Sequence, residues 1–508
     1  MLSASVQEIA AVVSGGLCPA DSGVRVTGVA IDSRTVEPGM LFVAFPGDRA
    51  DGHDFIDEAV DKGAAAVVFA RNPSVGAPSG PSGGVPGPGN GLDGSGGGVS
   101  AGLGGGRLWT IGSVPTIRVP DGKRALQQLA AWHRSRLPVT VVGVTGSTGK
   151  TTTKDMLASV LGVRFKTVAT ERNLNNEIGV PLTLLAAAEY TDVIVCEMGM
   201  RGAGQIAELA DIARPDIGVI TNVGTSHIGL LGTQEAIADA KGELARAIPL
   251  TGSVLVNGDD GYAAAVVRGA QARIISFGPG AHNDVRAEDI RLDRYGRASF
   301  SLACRGVRRD DGSGCEAEAC AVTLPIAGRH NVYNALAAAA VGLQLGLTFT
   351  EIAQGLAATQ VTDMRMEVLH SPKGVTVIND AYNASPHSMS VAIMALMEME
   401  ATGRRCAVLG DMAELGAHSK DAHFGIGEDL AKQGIDLLVT VGEQARHIVE
   451  GARQAGLDGL RIHMFDDPCE AGGFLGEELR SGDTVLVKAS RVMGLERIAE
   501  RLVTPRVE

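Results

Sequence analysis

The stretch Val139–Lys154 reads VTVVGVTGSTGKTTTK, and a helix-forming run continues from it to Gly162. An apolar, β-branched strand enters a glycine-rich turn, and a helix leaves it. This order has a physical cause. Glycines let successive N–H groups converge on phosphate oxygens, the helix N-terminus adds partial positive charge, and a lysine supplies a mobile cation. Gly146, Ser147, Thr148, Gly149, Lys150, Thr151 and Thr152 therefore read as a nucleotide-phosphate cradle, with the Thr151 hydroxyl placed for Mg²⁺. The match to GxxxxGK[ST] is not strict, because Val144 stands at the first glycine position between Gly143 and Gly146.

Working outward, further buried-strand patterns follow: DVIVCEM (192–198), DIGVITNVG (216–224) and SVLVNGD (253–259), separated by helical patterns, notably Gln234–Ile248. Strands alternating with helices predict a parallel sheet with helices on both faces, and continuous apolar strands fit burial on both sides. A third group begins near Met364: GVTVIND (374–380), RCAVLGD (405–411), DLLVTVG (436–442) and DTVLVKAS (483–490). It reads as a second α/β sheet, Rossmann-like but without GxGxxG. The expected fold class is α/β in three domains: a smaller α/β domain over 1–136, a P-loop parallel-sheet ATPase domain over 137–363, and a Rossmann-like domain over 364–508. Residues 72–107 hold 15 Gly, 5 Pro and 5 Ser. Such a stretch cannot bury enough apolar surface to offset its ordering entropy. It reads as a disordered, passive insertion within the first domain, because strand patterns (64–70 and 116–119) flank it.

Composition agrees. At roughly 150 residues per domain, 508 residues give about three domains. Hydrophobic residues are 45% and charged residues 20%, which is globular composition. The formal net charge of −13 argues against a general nucleic-acid or membrane-surface binder. The seven cysteines form no CxxC pair, and Cys315 and Cys320 lack a second ligand pair for zinc. Scattered cysteines suit a reducing cytoplasm. The N-terminus carries no signal-peptide pattern, and no apolar run reaches the ~20 residues of a membrane span; Asn334–Leu347 comes nearest.

Several downstream residues can serve a phosphate site. Glu197 ends the strand DVIVC, where P-loop enzymes place an acidic metal ligand. His227 ends the run DIGVITNVGTSH, Lys241 lies in the helical ADAKGELA, and Asn175 and Asn176 lie in ERNLNNEIGVP.

Taken together, TGSTGKTTTK, RNLNNEIGVPLTLL, EMGM, TNVGTSHIGLLG, AKGE and GRHNVYNALAA resemble the ATP-dependent Mur ligases of peptidoglycan synthesis. The resemblance covers nearly the whole chain outside the glycine-rich insertion. IDSRTVEPGMLFVAFPGDRADGHDFIDEAVDKGA is similar to the uridine-nucleotide domain of the later ligases. NDAYNASPHSM, LGDMAELGAHS and VLVKASRVMGLE point to the step that adds D-alanyl-D-alanine to a UDP-N-acetylmuramoyl-tripeptide. The implied reaction phosphorylates the tripeptide's terminal carboxylate with ATP, and the dipeptide amine attacks the acyl phosphate to give the pentapeptide precursor. Three anionic partners must meet, so cations must offset their repulsion.

The resemblance also implies roles. Lys150 and the loop backbone bind the β- and γ-phosphates. Thr151 and Glu197 hold one Mg²⁺, and His227 helps hold a second. Lys241 aligns with a lysine that the family carbamylates, which turns a cation into a carboxylate-like metal ligand. Asn331 and Asn334 mark the adenine-side helix. Arg365, Asp380, Tyr382 and Asn383 close over ATP from the C-terminal domain. Ser33 and Arg34 contact the uridine diphosphate, and Asp51, Gly52 and His53 the muramoyl-peptide. Asn175 and Asn176 sit on the substrate side, and Lys488, Ser490 and Arg491 near the incoming dipeptide. A cytoplasmic monomer is implied, with small-molecule substrates and no nucleic-acid partner.

Some positions depart from the family pattern. Asn379 replaces an acid and Ser385 an amide in NDAYNASP, Met364 replaces a glycine, Gln205 stands where an acid is common, and Ala489 replaces the glycine of KGS. Two other readings predict different strings. A ligase for another amino acid should carry DNPR, or a folate-type motif, in place of NDAYNASP. A P-loop switch of guanine type should carry NKxD. None of these strings occurs.

Overall fold

The computed structural model describes residues 1–17, 23–47, 50–70, 114–306 and 319–504. The glycine-rich segment 72–107 and Cys315 lie outside the described residues. The chain forms two compact units, Met1–His133 and Arg134–Glu508.

The first unit holds a five-stranded sheet in the order Gly16–Leu17, Thr116–Arg118, Ala66–Phe69, Leu41–Val43, Val29–Ala30. All neighbours are parallel except the first pair. Phe42, Ile56, Ala59, Val67 and Phe69 form its core. Ala66–Phe69 and Thr116–Arg118 pair side by side, so the glycine-rich segment connects neighbouring strands of one sheet.

The second unit holds two sheets. The nine-stranded sheet runs in the order Ala319–Ala327, Arg297–Cys304, Val285–Leu292, Arg273–Phe277, Ser253–Asn257, Ile217–Ile220, Thr140–Thr145, Val193–Glu197, Thr167–Ala169. From Val285–Leu292 to Thr167–Ala169 every pairing is parallel. The remaining edge is antiparallel and departs from the expected all-parallel sheet. These strands are covered on one side only, so buried Ala298, Phe300 and Leu302 alternate with half-exposed Ser299 and Ser301. A search for continuous apolar runs misses such a period-two pattern.

The alanine-rich helix Asn331–Gln344 is buried except at Tyr333 and packs against the helix Lys150–Gly162. A helix apolar on all sides belongs in a core or a membrane; this one is core. No helix among the described residues is long and apolar enough to cross a membrane.

The six-stranded sheet runs in the order Glu367–His370, Thr376–Asn379, Thr484–Lys488, Arg405–Gly410, Leu437–Val441, Ile462–Phe465, parallel except for the first pair. Alternate residues point to opposite faces. Ala407 and Leu409 join one apolar cluster and Cys406 and Val408 another, which is why the strand reads as unbroken hydrophobicity.

Candidate active site

The strand Thr140–Thr145 lies centrally in its sheet and delivers the glycine-rich loop at its C-terminal end. Gly146 (φ 154°) and Gly149 (φ 78°) have positive φ. A Cβ at Gly146 would collide with Thr221 Oγ1, and one at Gly149 would lie 2.5 Å from Asn334 Oδ1. The next strand pins the loop. Thr221 Oγ1 donates to Thr148 O (2.6 Å), and Ser147 N donates to Asn222 O (3.0 Å). Thr148 N donates to Asn222 Oδ1 (3.0 Å), and Gly224 N donates to Ser147 Oγ (2.8 Å). The backbone that would meet phosphates is thus held before any ligand arrives. Thr152 lies in the first turn of the following helix.

Lys150 Nζ donates to Gly146 O at 2.7 Å. Burial lowers its pKa, Glu197 opposes that shift, and Arg365 adds to it. Thr151 is buried, and its Oγ1 accepts from Arg365 Nη2 at 3.1 Å. Glu197, 1% exposed, accepts from Asn175 Nδ2 at Oε1 (2.7 Å). Its Oε2 is buried with no partner. A buried carboxylate oxygen without a donor is costly unless a cation meets it. Asn176 faces elsewhere: its Oδ1 accepts from Gly179 N at the start of the helix Gly179–Ala186.

Lys241 is 1% exposed. No carboxylate among the described residues pairs with it. Burial, and then the charge of Lys150, push its pKa well below the ordinary lysine value, so the uncharged amine is favoured there. His227 was expected at a strand end. The strand instead stops at Ile220, and His227 (φ 64°) precedes the short helix Ile228–Leu231. The polar run after Ile220 turns to grip the phosphate loop, so its residues leave the ladder. Burial lowers the His227 pKa; Glu414 opposes this, while Lys150 and Lys241 add to it.

Asn331 and Asn334 lie beneath the loop with their amides engaged by protein. Asn331 Nδ2 donates to Ala327 O (2.7 Å), Asn334 Nδ2 to Asn331 Oδ1 (2.9 Å), and Thr153 Oγ1 to Asn334 Oδ1 (3.1 Å).

From the C-terminal part of this unit, Arg365 reaches Thr151 and stacks 4.1 Å above the Tyr382 ring. Its Nε is buried without a partner. Met364 (φ 60°) and Met366 (φ 50°) flank it in the left-handed region, which accounts for a glycine being usual at position 364. Asp380 and Lys488 form a second cluster. Lys488 Nζ donates to Asp380 Oδ2 (2.6 Å) and Asn383 O (2.9 Å). His330 lies near them, with its pKa lowered to about 4 mainly by burial. Ser490 Oγ accepts from Ala413 N, and Arg491 pairs with Glu496. The two departures in NDAYNASP have local roles: Asn379 Nδ2 donates to Glu367, and Ser385 caps the helix Pro386–Glu398.

The remaining expected residues belong to the first unit. Ser33 is buried and donates to Glu58 (3.0 Å); Arg34 is exposed and pairs with Asp32. Asp51 holds His53 Nδ1 at 2.5 Å, and His53 Nε2 accepts from Ala70 N (3.1 Å). Gly52 opens the short helix Gly52–Phe55.

Thr221, Asn222 and Glu414 were not anticipated. The first two precede His227 in TNVGTSH, and their polar side chains directly after a buried strand were the available signal. Glu414 lies in DMAELG, and sequence spacing alone gives no sign of its reach to His227.

A phosphate loop on a parallel sheet, a buried carboxylate beside it and an arginine from a Rossmann-like sheet define a nucleotide-dependent enzyme. The chain belongs to the Mur ligase family. The Mur ligase middle domain matches residues 144–342, the glutamate ligase domain of Mur ligases residues 364–491, and the Mur ligase catalytic domain residues 25–82. It is 35% identical to the UDP-N-acetylmuramoyl-tripeptide–D-alanyl-D-alanine ligase of Bacillus subtilis (strain 168), over 99% of each chain. It is 39% identical to the ligase of the same name from Mycobacterium tuberculosis (strain H37Rv), over 99% of this chain and 98% of that one. A crystal structure of MurF from Acinetobacter baumannii superposes with a TM-score of 0.80 at 29% identity, over 99% of each chain. MurF from Thermotoga maritima, solved in complex with ADP, gives 0.73 at 28% identity over 94% of this chain and 97% of that one.

Proposed function

We propose that this chain joins D-alanyl-D-alanine to UDP-N-acetylmuramoyl-tripeptide with ATP, through an acyl phosphate on the tripeptide's terminal carboxylate. A carboxylate is a poor electrophile, and phosphorylation supplies a leaving group. The observation that carries the reading is the pinned loop beside the partnerless Glu197 Oε2, in a chain matched end to end by ligases of that name.

The loop N–H groups and Lys150 bind the β- and γ-phosphates, with Lys150 exchanging its carbonyl partners for phosphate oxygens. Asn331 and Asn334 support the loop on the nucleotide side. Thr151, Glu197 and His227 are the residues that would hold Mg²⁺. No cluster of three or more His, Cys, Asp or Glu side chains among the described residues is arranged for a metal. A cation here takes few protein ligands plus phosphate oxygens, as Mg²⁺ does. When bound, the ion offsets charge on the transferring phosphoryl group. Lys241, whose pKa burial and then Lys150 lower, is a candidate for carbamylation by CO₂, which would give the site a second carboxylate. Arg365 is placed to exchange Thr151 for the transferring phosphoryl group, with Tyr382 supporting its stack. Asp380 holds Lys488 toward the acceptor side with Asn383, and Ser490 and Arg491 border that side. Asn175 orients Glu197, and Asn176 shapes the turn beside it. Ser33, Arg34, Asp51, Gly52 and His53 serve the UDP-muramoyl end. The domains are 1–136, 137–363 and 364–508, and the protein acts as a cytoplasmic monomer.

Phosphate release tests the reading. With ATP and Mg²⁺, release should require both the UDP-tripeptide and D-alanyl-D-alanine. Release with a free amino acid and a shorter UDP-peptide instead would move the chain to a neighbouring ligase step.

A further inference from the structure

We propose that Glu414 is a positioning residue, a carboxylate carried by the C-terminal sheet that fixes His227 and completes the nucleotide site only when that sheet is seated. The inference rests on the function proposed above. Glu414 follows the strand Arg405–Gly410, in a loop bolted to its own lobe. Met412 N donates to His423 Nε2 (2.9 Å), Ala413 N donates to Ser490 Oγ (2.8 Å), and Leu415 is buried. From this base Glu414 Oε2 lies 2.8 Å from His227 Nδ1, and Oε1 lies 3.7 Å from Arg201 Nε. The histidine contact is a charge-to-ring approach and is not aligned as a hydrogen bond.

Three further features show that the approach is built. Glu414 (φ 62°) and His227 (φ 64°) are both non-glycine residues in the left-handed region, a conformation that persists only where its surroundings enforce it. Gly229 lies so close to the loop that a Cβ there would come within 3.0 Å of Glu414 O and Gly416 N. The charged groups acting on His227 are Glu414, Lys150 and Lys241, so Glu414 is the only anion among them. Without it, no carboxylate would be left among the charged groups that act on the ring. The other carboxylate oxygen faces Arg201 at the surface, where the two side chains, Arg201 and Glu414, are 77% and 43% exposed.

The test uses the full chain with ATP, Mg²⁺, UDP-tripeptide and dipeptide, and an activity-free arm. Glu414→Gln and Glu414→Ala should lower kcat at least tenfold, with the dissociation constant for ADP changed less than about threefold. Glu414→Asp should recover part of the loss. By hydrogen exchange, protection of 225–232 and 413–418 should fall together in Glu414→Gln, while 150–162 stays unchanged. A Glu414→Gln enzyme within twofold of wild type in kcat, or unchanged exchange over 225–232, would overturn the proposal. Inactivity of the wild-type chain on these substrates would remove the function reading alone, because the exchange arm would still decide the role of Glu414.

Discussion

At the residue scale, the site rests on a few atoms with unusual surroundings. Glu197 Oε2 is buried and without a partner, which is the strongest local sign that this side chain is a cation ligand. Removing that carboxylate should remove metal-assisted stabilisation of the transferring phosphoryl group. Glu197→Ala should lower kcat by about 100-fold or more, in line with the loss of one preorganised electrostatic contact, with the fold intact by circular dichroism. Gly146 gives a second residue-scale prediction. Its positive φ and its closeness to Thr221 Oγ1 leave no room for a Cβ. Gly146→Ala should displace the loop and weaken ATP binding by more than tenfold in a titration, while Gly162→Ala, at a position with nothing within 4 Å, should leave ATP affinity unchanged. Lys150 and Thr151 were legible from sequence because strand, glycines and helix occupy one continuous stretch, and Glu197 because it ends a wholly apolar strand. Glu414 was not legible, because its partner His227 lies far away in the chain and only the fold brings them together.

At the scale of elements, the continuous apolar strands were legible and the antiparallel edge was not. Strands such as Val193–Glu197 are buried throughout, and their hydrophobicity announces them. Arg297–Cys304 has one wet face, so its alternation with serines resembles a loop. The helix Phe349–Ala357 yields a pH prediction. Thr348 and Glu351 form a capping box, and Glu351 also pairs with Arg164. The backbone N–H of Thr348, and then Arg164, hold the Glu351 pKa at about 2, below its ordinary value of 4.5. A depressed folded-state pKa contributes stability that is full above the unfolded value and lost as pH falls through the folded one. The stability difference between wild type and Glu351→Gln should therefore be constant near neutral pH and shrink between about pH 4.5 and 2. A difference that grows on acidification would contradict this cap.

At the scale of the molecule, the C-terminal sheet must stay intact to present Arg365 and Glu414. The N-terminal ends of its two central strands are tied by Arg404, which bonds Asp483 and Glu478; Asp483 has a side chain only 3% exposed. Arg404→Ala would leave a buried carboxylate without its cation. It should cost about 2–3 kcal/mol in denaturant unfolding, with kcat affected far less than in Glu197→Ala. An equal loss of kcat in both variants would mean that the sheet, and not the site, limits the reaction.

The central claim is that the tripeptide carboxylate is activated by phosphorylation, and oxygen transfer tests it most directly. The UDP-tripeptide would be labelled with ¹⁸O in its terminal carboxylate and turned over with ATP and D-alanyl-D-alanine. The account predicts that the released phosphate carries one labelled oxygen and that the new amide keeps the other. Unlabelled phosphate alongside full product formation would contradict it.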